Sequence, residues 1–401
     1  MKRKITEKIQ HADRDLNIRT FIIWGMKCTG KTYSVLDYIK GNYEEYLYID
    51  CGSEIYSELK SINGNLTEKI SSYFRIDSEY LVNIPLIIDE PDISGTSAGL
   101  FDGYDGRLKL FIIVSDKKDA EEVALKISDS KLFRMTPMDF GEFLTAQDKE
   151  WYDEIINGHV MSKRKLPEMI HSELLDMFSL YRVTGGMPDI IEEYIKTGGT
   201  ENIRRKQEFT SRALIYDSMS EFDDGKSSGR IESVFDAVQN ILEKDNHKFM
   251  YSVIRDGALK SNYIPIIDYL CSRELIRKVE RLGDPASFRL YFGDFCMLKG
   301  VLKEKNLESV LIQNVQSSGC DICYWESGQG ATLDMVIISD KGEIPVEIKA
   351  EGKSNLRSVK AFLKNKGAEN YFSLSEDNFS FKDNMTGIPY YASYAVNRLL
   401  S

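Results

Sequence analysis

The stretch best suited to chemistry is a loop bounded by Gly25 and Gly30 and followed by Lys31 and Thr32. It comes after an apolar run over 20–24 and leads into a segment with helical character. A strand that leads through such a loop into a helix directs backbone N–H groups and the helix dipole to one point, where an anion can bind. In this spacing the lysine reaches β- and γ-phosphates and the threonine hydroxyl ligates Mg²⁺. The stretch therefore predicts a nucleotide site.

An acidic pair ends the next informative run. The short apolar segment 84–88 is typical of a strand buried in a parallel sheet, and it is followed by Asp89 and Glu90. In phosphate-loop enzymes the first acid holds the Mg²⁺ shell, and the second orients or deprotonates the attacking water. The pair therefore favours ATP hydrolysis over binding alone.

A further buried strand is predicted over 108–114 and ends at Ser115. This hydroxyl would meet the γ-phosphate or the water, or else cap the following helix, and both interpretations stay open. Lys31 and Glu90 are the predicted catalytic residues here, and Thr32 and Asp89 the predicted Mg²⁺ ligands. The predicted ATP-binding residues are Gly25, Lys27, Cys28, Thr29, Gly30, Lys31, Thr32, Tyr33 and Ser115.

A second set of candidate residues lies near the C-terminal end. Glu347 and Lys349 share one face of a predicted strand because strand side chains alternate, and Asp334 on the hairpin partner can converge on them. Two carboxylates can hold Mg²⁺ and activate water, and a lysine can orient that water or stabilise charge on a phosphate. The spacing Asp, twelve residues, Glu, any residue, Lys matches a nuclease signature. Asp334, Glu347 and Lys349 are therefore predicted as catalytic residues, the two acids also as metal ligands.

Composition limits the class of protein. The 401 residues are 42% hydrophobic, enough for several cores, and the net charge of −11 means that any nucleic-acid contact needs a local basic patch. We find no uncharged run of the about 18 to 20 residues that cross a bilayer, so we expect a cytoplasmic protein without a membrane partner. Six dispersed cysteines indicate a reducing compartment, and with only four histidines the pair Cys320 and Cys323 is a weak zinc candidate.

The order of predicted elements defines the fold class. Apolar strands at 20–24, 45–50, 84–89, 108–114 and 131–136 alternate with helical patterns. Such alternation predicts a parallel sheet with ligand at the carboxyl ends of the strands. Residues 20–145 are therefore expected to form an α/β nucleotide-binding domain.

Four motifs together resemble a known family. The phosphate loop, 86–90, 136–143 and 181–188 are similar over almost the full chain to bacterial and archaeal AAA+ ATPases with a C-terminal domain related to PD-(D/E)XK nucleases. The resemblance implies an α/β fold in four parts: an additional-strand AAA+ P-loop core with a parallel sheet, a helical lid, a winged helix and a restriction-endonuclease-like α/β domain. The implied bounds are 1–145, 146–225, 226–300 and 301–401. It also adds Glu308, on a helix before the nuclease-like strands, to the metal ligands.

Two positions depart from the family pattern. Many relatives have a Gly-Arg pair just before the last core strand, where this chain has Ser128 and Asp129. An arginine finger here would have to be Arg134, Arg182 or neither. Relatives also have a glutamate two residues before Asp334, where this chain has Thr332.

Basic side chains suggest DNA as a partner. Basic side chains of the predicted winged helix can contact phosphates, and a stripe of basic residues that recurs every three or four positions marks one face of a helix. For the winged-helix cations the alternative is packing between domains, and for the stripe it is a solvated helix face without a partner. Both alternatives stay open. The residues are Lys260, Arg273, Arg277, Lys278, Arg281 and Arg289 in the first set and Lys353, Arg357, Lys360 and Lys364 in the stripe. The polar segment 221–229 is the predicted linker.

Two functions follow from these patterns. The first is an ATPase with bound Mg²⁺ that couples nucleotide state to DNA binding, with metal-dependent nuclease activity open. The second is a nucleotide-gated switch or scaffold that binds a protein partner through an inactive nuclease-like domain. Assembly into a homo-oligomer stays open in both.

Overall fold

The computed structural model describes residues 1–91, 93, 100–222, 228–244, 247–299, 306–340, 342–349 and 356–400. The chain divides into two compact units, Met1–Thr136 with Ser272–Glu274, and Pro137–Cys271 with Leu275–Ser401. Most of the predicted linker, 223–227, lies outside the described residues, as does Lys353 of the basic stripe.

The first unit alternates strands with helices. Its strands are β1 (Thr20–Trp24), β2 (Leu47–Asp50), β3 (Pro85–Asp89), β4 (Lys109–Val114) and β5 (Ser130–Arg134). Its helices are α1 (Lys4–Ala12), α2 (Lys31–Asn42), α3 (Glu54–Ser61), α4 (Leu66–Phe74), α5 (Ser78–Leu81) and α6 (Lys117–Lys126). The five predicted strands are all present, with shifts of one or two residues at their ends.

These five strands form a parallel sheet in the order β2-β3-β4-β1-β5. The parallel α/β sheet predicted from the sequence is thus confirmed. β4 lies between β1 and β3, which is the additional strand that the family resemblance implies. Because parallel strands end at the same edge, the residues that follow β1, β3 and β4 come together there.

Both faces of this sheet are covered, which is why β1 is buried at every position. Phe21 and Ile23 pack in a cluster with side chains of α1 and α2. Ile22 and Trp24 pack in another cluster with side chains of α3, α4 and α6. The alternation follows from the two-residue period of a strand, and it gives the site a platform packed from two sides.

The second unit is helical at first and contains all the remaining strands that the structure describes. Its helices are α7 (Phe140–Thr145), α8 (Glu150–Ser162), α9 (Glu168–Thr184), α10 (Pro188–Thr197), α11 (Thr200–Glu221), α12 (Ser228–Leu242), α13 (Lys260–Ser272), α14 (Leu307–Ser317) and α15 (Leu356–Lys366). Its strands are β6 (Ile276–Arg281), β7 (Asp284–Phe292), β8 (Asp321–Glu326), β9 (Thr332–Ser339), β10 (Gly342–Ile348), β11 (Tyr371–Ser375), β12 (Ser380–Lys382) and β13 (Met385–Pro389). A 3₁₀ helix, Tyr390–Leu399, follows them.

The strands of the second unit form one mixed sheet in the order β12-β13-β11-β10-β9-β8-β6-β7. The predicted β9–β10 hairpin is present and antiparallel, and β6 and β7, within the predicted winged helix, form a second antiparallel hairpin. β6 also pairs in parallel with β8, with Glu280 opposite Cys323 and Arg281 opposite Tyr324. The hairpin of the predicted winged helix is thus continuous with the C-terminal strands, and the division into four domains stays a prediction.

Two of the family motifs meet inside the second unit. The Met138 N–H donates to the Gly186 carbonyl at 2.7 Å, and the Tyr181 hydroxyl donates to the Met138 carbonyl at 2.8 Å. A Cβ on Gly186 would lie 2.6 Å from that Met138 oxygen. The buried Asp294 carboxylate accepts from the Gly186 N–H at 3.0 Å. The segments around 138 and 186 therefore build the fold through close backbone contact.

Candidate functional site

Two glycines shape the loop between β1 and α2. Gly25 has a φ of 149° and Gly30 a φ of 87°, values that favour glycine. A Cβ on Gly25 would lie 2.0 Å from the Met135 carbonyl oxygen, just after β5. The loop thus passes too close to the neighbouring backbone for a side chain at that position, and α2 begins directly after it at Lys31.

The Lys31 ammonium is buried and folds back across this loop. Its Nζ donates to the carbonyl oxygens of Gly25 at 3.0 Å and Met26 at 3.3 Å, and to Ser115 Oγ at 2.9 Å. It also lies 3.6 Å from Glu90 Oε1. Burial lowers the pKa of Lys31, and the Glu90 charge acts in the opposite direction. These contacts use all three donors of the ammonium, so a phosphate can bind it only in exchange for some of them.

Two hydroxyl donors position the Asp89 carboxylate at the end of β3. Thr32 Oγ1 donates to Asp89 Oδ2 at 2.8 Å, and the Tyr48 hydroxyl donates to the same oxygen at 2.7 Å. The second oxygen, Oδ1, is buried and has no hydrogen-bond partner among the residues that the structure describes. Burial also raises the pKa of Asp89. A buried carboxylate oxygen without a partner, beside a threonine hydroxyl, fits Mg²⁺, which prefers oxygen ligands.

Tyr48 is a site residue that the sequence patterns do not reveal. It lies on β2, which pairs with β3 so that Asp50 is opposite Asp89. Burial and the hydrogen bond to Asp89 both raise the pKa of Tyr48, so the hydroxyl stays a donor. Finding it requires the pairing of β2 with β3, which no local pattern shows.

Glu90 and Ser115 hold each other at the ends of β3 and β4. The Ser115 N–H donates to Glu90 Oε2 at 3.0 Å, and the Ser115 hydroxyl donates to Glu90 Oε1. Glu90 has a φ of 52°, which is uncommon for a residue other than glycine and is frequent at functional sites. The residue that caps α6 is Asp116, whose side chain accepts from the Lys118 N–H at 2.8 Å. The interpretation of Ser115 as the helix cap is therefore wrong, and its contact with phosphate or water stays a prediction.

The remaining predicted loop residues differ in exposure. Thr29 is buried, and its hydroxyl donates to the Met26 carbonyl at 2.8 Å. Lys27 is half-buried, Cys28 is exposed, and Tyr33 is 56% exposed in the first turn of α2. Thr29 therefore shapes the loop, whereas the Cys28 and Tyr33 side chains are accessible to a ligand.

Arg3 supports this loop, although the sequence around it indicates only a charged lead-in segment. The residue is 4% exposed. Its guanidinium donates to the carbonyl oxygen of Thr29 and, at 2.7 Å, to that of Thr136. It thus ties the phosphate-binding loop to the segment that follows β5.

We expect Arg3→Ala to weaken nucleotide binding about tenfold. The loop loses two hydrogen bonds from a charged donor, together about 3–6 kcal/mol of support for the folded loop. We expect about 1.4 kcal/mol of this to appear as weaker binding, which corresponds to a factor of ten. Titration calorimetry with ADP measures the change. Lys8→Ala, at an exposed position of α1, is the matched control. Equal ADP affinity in the Arg3 variant and wild type would show that Arg3 does not support the loop.

In the second unit, Asp334 and Glu308 come together around an arginine. Arg289 Nη1 donates to Asp334 Oδ1 at 2.8 Å and lies 3.7 Å from Glu308 Oε1. The Tyr291 hydroxyl donates to that Glu308 oxygen at 2.6 Å, and His247 Nδ1 lies 3.1 Å from it. Burial opposes ionisation of Glu308, but its hydrogen bond with His247 and the nearby positive charges lower its pKa.

Glu347 and Lys349 make other contacts. Glu347 is 1% exposed and accepts from the Ser373 hydroxyl at 3.2 Å, and Lys349 Nζ lies 3.9 Å from Asp377 Oδ2. Over the described ranges, no three His, Cys, Asp or Glu side chains lie close enough together to hold a metal ion. The predicted ligands Asp334, Glu347 and Glu308 are thus not part of a group of three, and their role as metal ligands stays a prediction.

Two of the basic side chains predicted to contact DNA are inside the fold. Arg277 is 5% exposed and Arg289 is 6% exposed. Arg277 donates through Nε and Nη2 to the Gly293 carbonyl at 3.1 and 2.9 Å. Lys278 and Arg281 are half-exposed, and each lies within ion-pair distance of an acidic side chain. The predicted phosphate contacts of Arg277 and Arg289 are therefore wrong.

The two arginines considered for an arginine finger both have partners. Arg134 Nε pairs with the Glu274 carboxylate, and Arg182 Nε donates to Asn306 Oδ1 at 3.1 Å. Burial lowers the pKa of Arg182. The finger stays unassigned.

Cysteine pairing and membrane insertion were also considered from the sequence. None of the six cysteines, all of which are described, forms a disulfide. No helix in the described part of the chain is long and apolar enough to cross a membrane.

Comparison with known proteins gives weak likenesses only. No family model and no curated protein matches the sequence. A Walker-type ATPase of Pyrococcus abyssi is similar in structure with a TM-score of 0.45 and 14% identity, over 73% of this chain and 93% of that one. A Signal Transduction ATPase with Numerous Domains from Pyrococcus horikoshii, with a tetratricopeptide repeat sensor, has a TM-score of 0.30 and 13% identity, over 79% of this chain and 45% of its own.

The Orc1 protein of Aeropyrum pernix, solved in complex with DNA, is a third structure of this kind. Its TM-score is 0.28 at 12% identity, over 76% of this chain and 89% of that one. TM-scores below 0.5 assign no activity to this chain, so its function is argued from the geometry of the site.

Proposed function

We propose that the chain binds ATP with Mg²⁺ and hydrolyses it to ADP and phosphate. The observation that carries the proposal is the convergence of four side chains at one edge of the parallel sheet. Lys31 lies 3.6 Å from Glu90, and Thr32 lies 2.8 Å from Asp89. Together they supply the cation, the hydroxyl and the two carboxylates that phosphoryl transfer to water uses.

The binding residues have separate tasks. Thr32 and Asp89 are the residues that would hold Mg²⁺, and the metal, when bound, neutralises charge on the phosphate oxygens. Lys31 binds the phosphates in exchange for some of its hydrogen bonds, among them the one to Ser115 Oγ. The N–H groups at the start of α2 add partial positive charge at the same point.

Glu90 acts on the attacking water. Its carboxylate accepts the proton as the water oxygen bonds to the γ-phosphorus and the bond to the bridging oxygen breaks, so that ADP leaves with that oxygen. Lys31 donates to Ser115 Oγ, and the Ser115 hydroxyl donates to Glu90. Capture of the phosphate by Lys31 therefore removes one contact of the serine that holds Glu90, which links binding to release of the base.

The test is release of phosphate from ATP by the full chain, with Mg²⁺ or with excess EDTA. We expect release with Mg²⁺ only. Binding of ATP without release would reduce the function to that of a nucleotide-gated switch. Absence of ATP binding would overturn the proposal.

DNA binding is a second candidate function, favoured by one face of α15. This helix buries Val359 and Phe362 against the sheet. Arg357, Lys360 and Lys364 are exposed on the other side. A row of cations on one helix face can follow a phosphate backbone.

We expect the double substitution Lys360→Gln and Lys364→Gln to weaken binding to duplex DNA. Loss of two phosphate contacts should lower the slope of log affinity against log salt by about 1.8. The matched control is Lys196→Gln with Arg205→Gln, two exposed cations paired with acids on α10 and α11. Fluorescence anisotropy with labelled duplex at several salt concentrations measures both slopes. An equal decrease of the salt slope in the two double variants would assign no special role to α15.

The contacts of the C-terminal acids favour an inactive nuclease-like domain, which is one part of the second function. The catalytic roles predicted for Asp334, Glu347 and Lys349 require a metal, and the arrangement around Asp334 and Glu308 does not fit one. The proposed output of ATP turnover is therefore a change in binding to DNA or protein, without cleavage of a phosphodiester.

A further inference from the structure

A half-buried charged cluster joins separate parts of the second unit. We call it the arginine cluster, and its members are His247, Arg289, Tyr291, Glu308 and Asp334. Arg289 and Tyr291 come from β7, Glu308 from α14 and Asp334 from β9. These five residues all belong to the second unit.

Arg289 is the cation of the cluster. It is 6% exposed, its guanidinium lies over the Tyr324 ring at 4.5 Å from the centroid, and its Nη1 donates to Asp334 Oδ1 at 2.8 Å. The same Nη1 lies 3.7 Å from Glu308 Oε1. The Glu308 and Asp334 side chains are 24% and 37% exposed, so both carboxylates are partly withdrawn from water, and one planar guanidinium can face both.

The Glu308 oxygen is also supplied with donors. It accepts from the Tyr291 hydroxyl at 2.6 Å. His247 Nδ1 lies 3.1 Å from it, and because an ionised carboxylate only accepts, that nitrogen is the donor. Glu308 Oε1 thus takes its donors from within the protein, whereas the buried Nε of Arg289 has no hydrogen-bond partner among the described residues.

A divalent metal would have to bind the same carboxylate oxygens in place of these hydrogen-bond donors. Mg²⁺ requires about six oxygen ligands at about 2.0–2.1 Å. Here N–H and O–H groups point at the Asp334 and Glu308 oxygens, and the guanidinium charge would repel a second cation. Within the described ranges these acids belong to no group of three metal-ligating side chains.

We infer that Arg289 is the built-in cation of this carboxylate cluster, in the place that a divalent metal would need, and that the cluster fastens the β6–β7 hairpin to α14 and β9. The C-terminal domain is then a binding or scaffolding domain. The inference rests on contacts within the second unit and is independent of ATP hydrolysis.

The first experiment titrates the nucleotide-free full chain with Mn²⁺ and follows free Mn²⁺ by electron paramagnetic resonance. Wild type and Asp334→Asn are expected to give superimposable curves. Asp89→Asn reports separately on the phosphate-loop site. A bound equivalent that Asp334→Asn removes and Asp89→Asn keeps would overturn the inference. Absence of ATP turnover would leave this measurement unaffected.

The second experiment removes the cation. Arg289→Leu is expected to lower the melting temperature, because it leaves two half-buried carboxylates without their partner, and to gain one Mn²⁺ that Asp334→Asn abolishes. An unchanged melting temperature, or no gain of Mn²⁺, would overturn the placement of Arg289 at the cation position.

A charge-free variant covers the case in which Arg289→Leu does not fold. Combining Arg289→Leu with Glu308→Gln and Asp334→Asn removes both acids along with the arginine. This triple variant is expected to fold and to melt above Arg289→Leu, since no buried charge is left unpaired. A triple variant that is no more stable than Arg289→Leu would contradict a role for charge pairing in the cluster.

Discussion

The substitution Glu90→Gln is expected to lower ATP turnover by about 10²- to 10⁴-fold while ATP binding stays close to wild type. The amide keeps the size of the side chain and its oxygen can still accept from Ser115, but it cannot take a proton from water. General-base catalysis contributes about that factor to a rate. Phosphate release and titration calorimetry on the same preparation separate the two effects.

The matched control for this substitution is Glu121→Gln. Glu121 lies on α6 in an exposed pair with Lys117, so the change removes the same charge away from the site. Its turnover should equal that of wild type. Wild-type turnover in Glu90→Gln would exclude Glu90 as the base even if the chain hydrolyses ATP.

The nucleotide site shows how far local patterns reach. The loop residues are contiguous, and Asp89 ends an apolar run that the structure places in β3. Strand and helix alternation was enough to predict a parallel sheet. Because such a sheet brings strand ends to one edge, the meeting of Lys31, Asp89 and Glu90 followed without knowledge of side-chain contacts.

Residues that reach the site from segments without a pattern could not be predicted. Tyr48 contacts Asp89 only because β2 pairs with β3, and Arg3 contacts Thr29 only because its guanidinium extends from the N-terminal segment. Neither residue stands at a diagnostic spacing from the loop. Their contribution depends on tertiary contacts, which composition and periodicity do not encode.

The C-terminal unit shows a different limit, because its motif predicts the strands but not the partners of their side chains. Asp334 lies on β9 and Glu347 on β10 as expected, but the partner of Asp334 is Arg289. The sequence placed Arg289 on a surface that contacts DNA. Pairing of β6 with β8 makes the hairpin part of the C-terminal sheet, and Arg289 of β7 is buried there. Spacing within a hairpin cannot show which cation will neutralise its acids.

The substitution Lys31→Met is expected to abolish most ATP binding without destabilising the empty protein. A charged contact of this kind contributes about 1.5–3 kcal/mol, or about 10- to 100-fold in affinity, and turnover falls further because the same charge stabilises the transition state. The expected effect on the free energy of unfolding of the empty protein has the opposite sign. Burial lowers the pKa of Lys31, so at neutral pH the folded state holds the proton less tightly than the unfolded state does.

Methionine removes this buried charge and keeps an apolar stem in its place, so the empty variant should melt at or above the temperature of wild type. Thermal unfolding with and without Mg²⁺ and ATP measures both effects, because a ligand that binds the folded state raises the melting temperature. We expect ATP to stabilise wild type and the control Lys40→Met, at an exposed position of α2, but not Lys31→Met. An empty Lys31→Met chain that melts well below wild type would mean that the hydrogen bonds of the ammonium outweigh its burial. The lysine would then support the fold as well as the nucleotide.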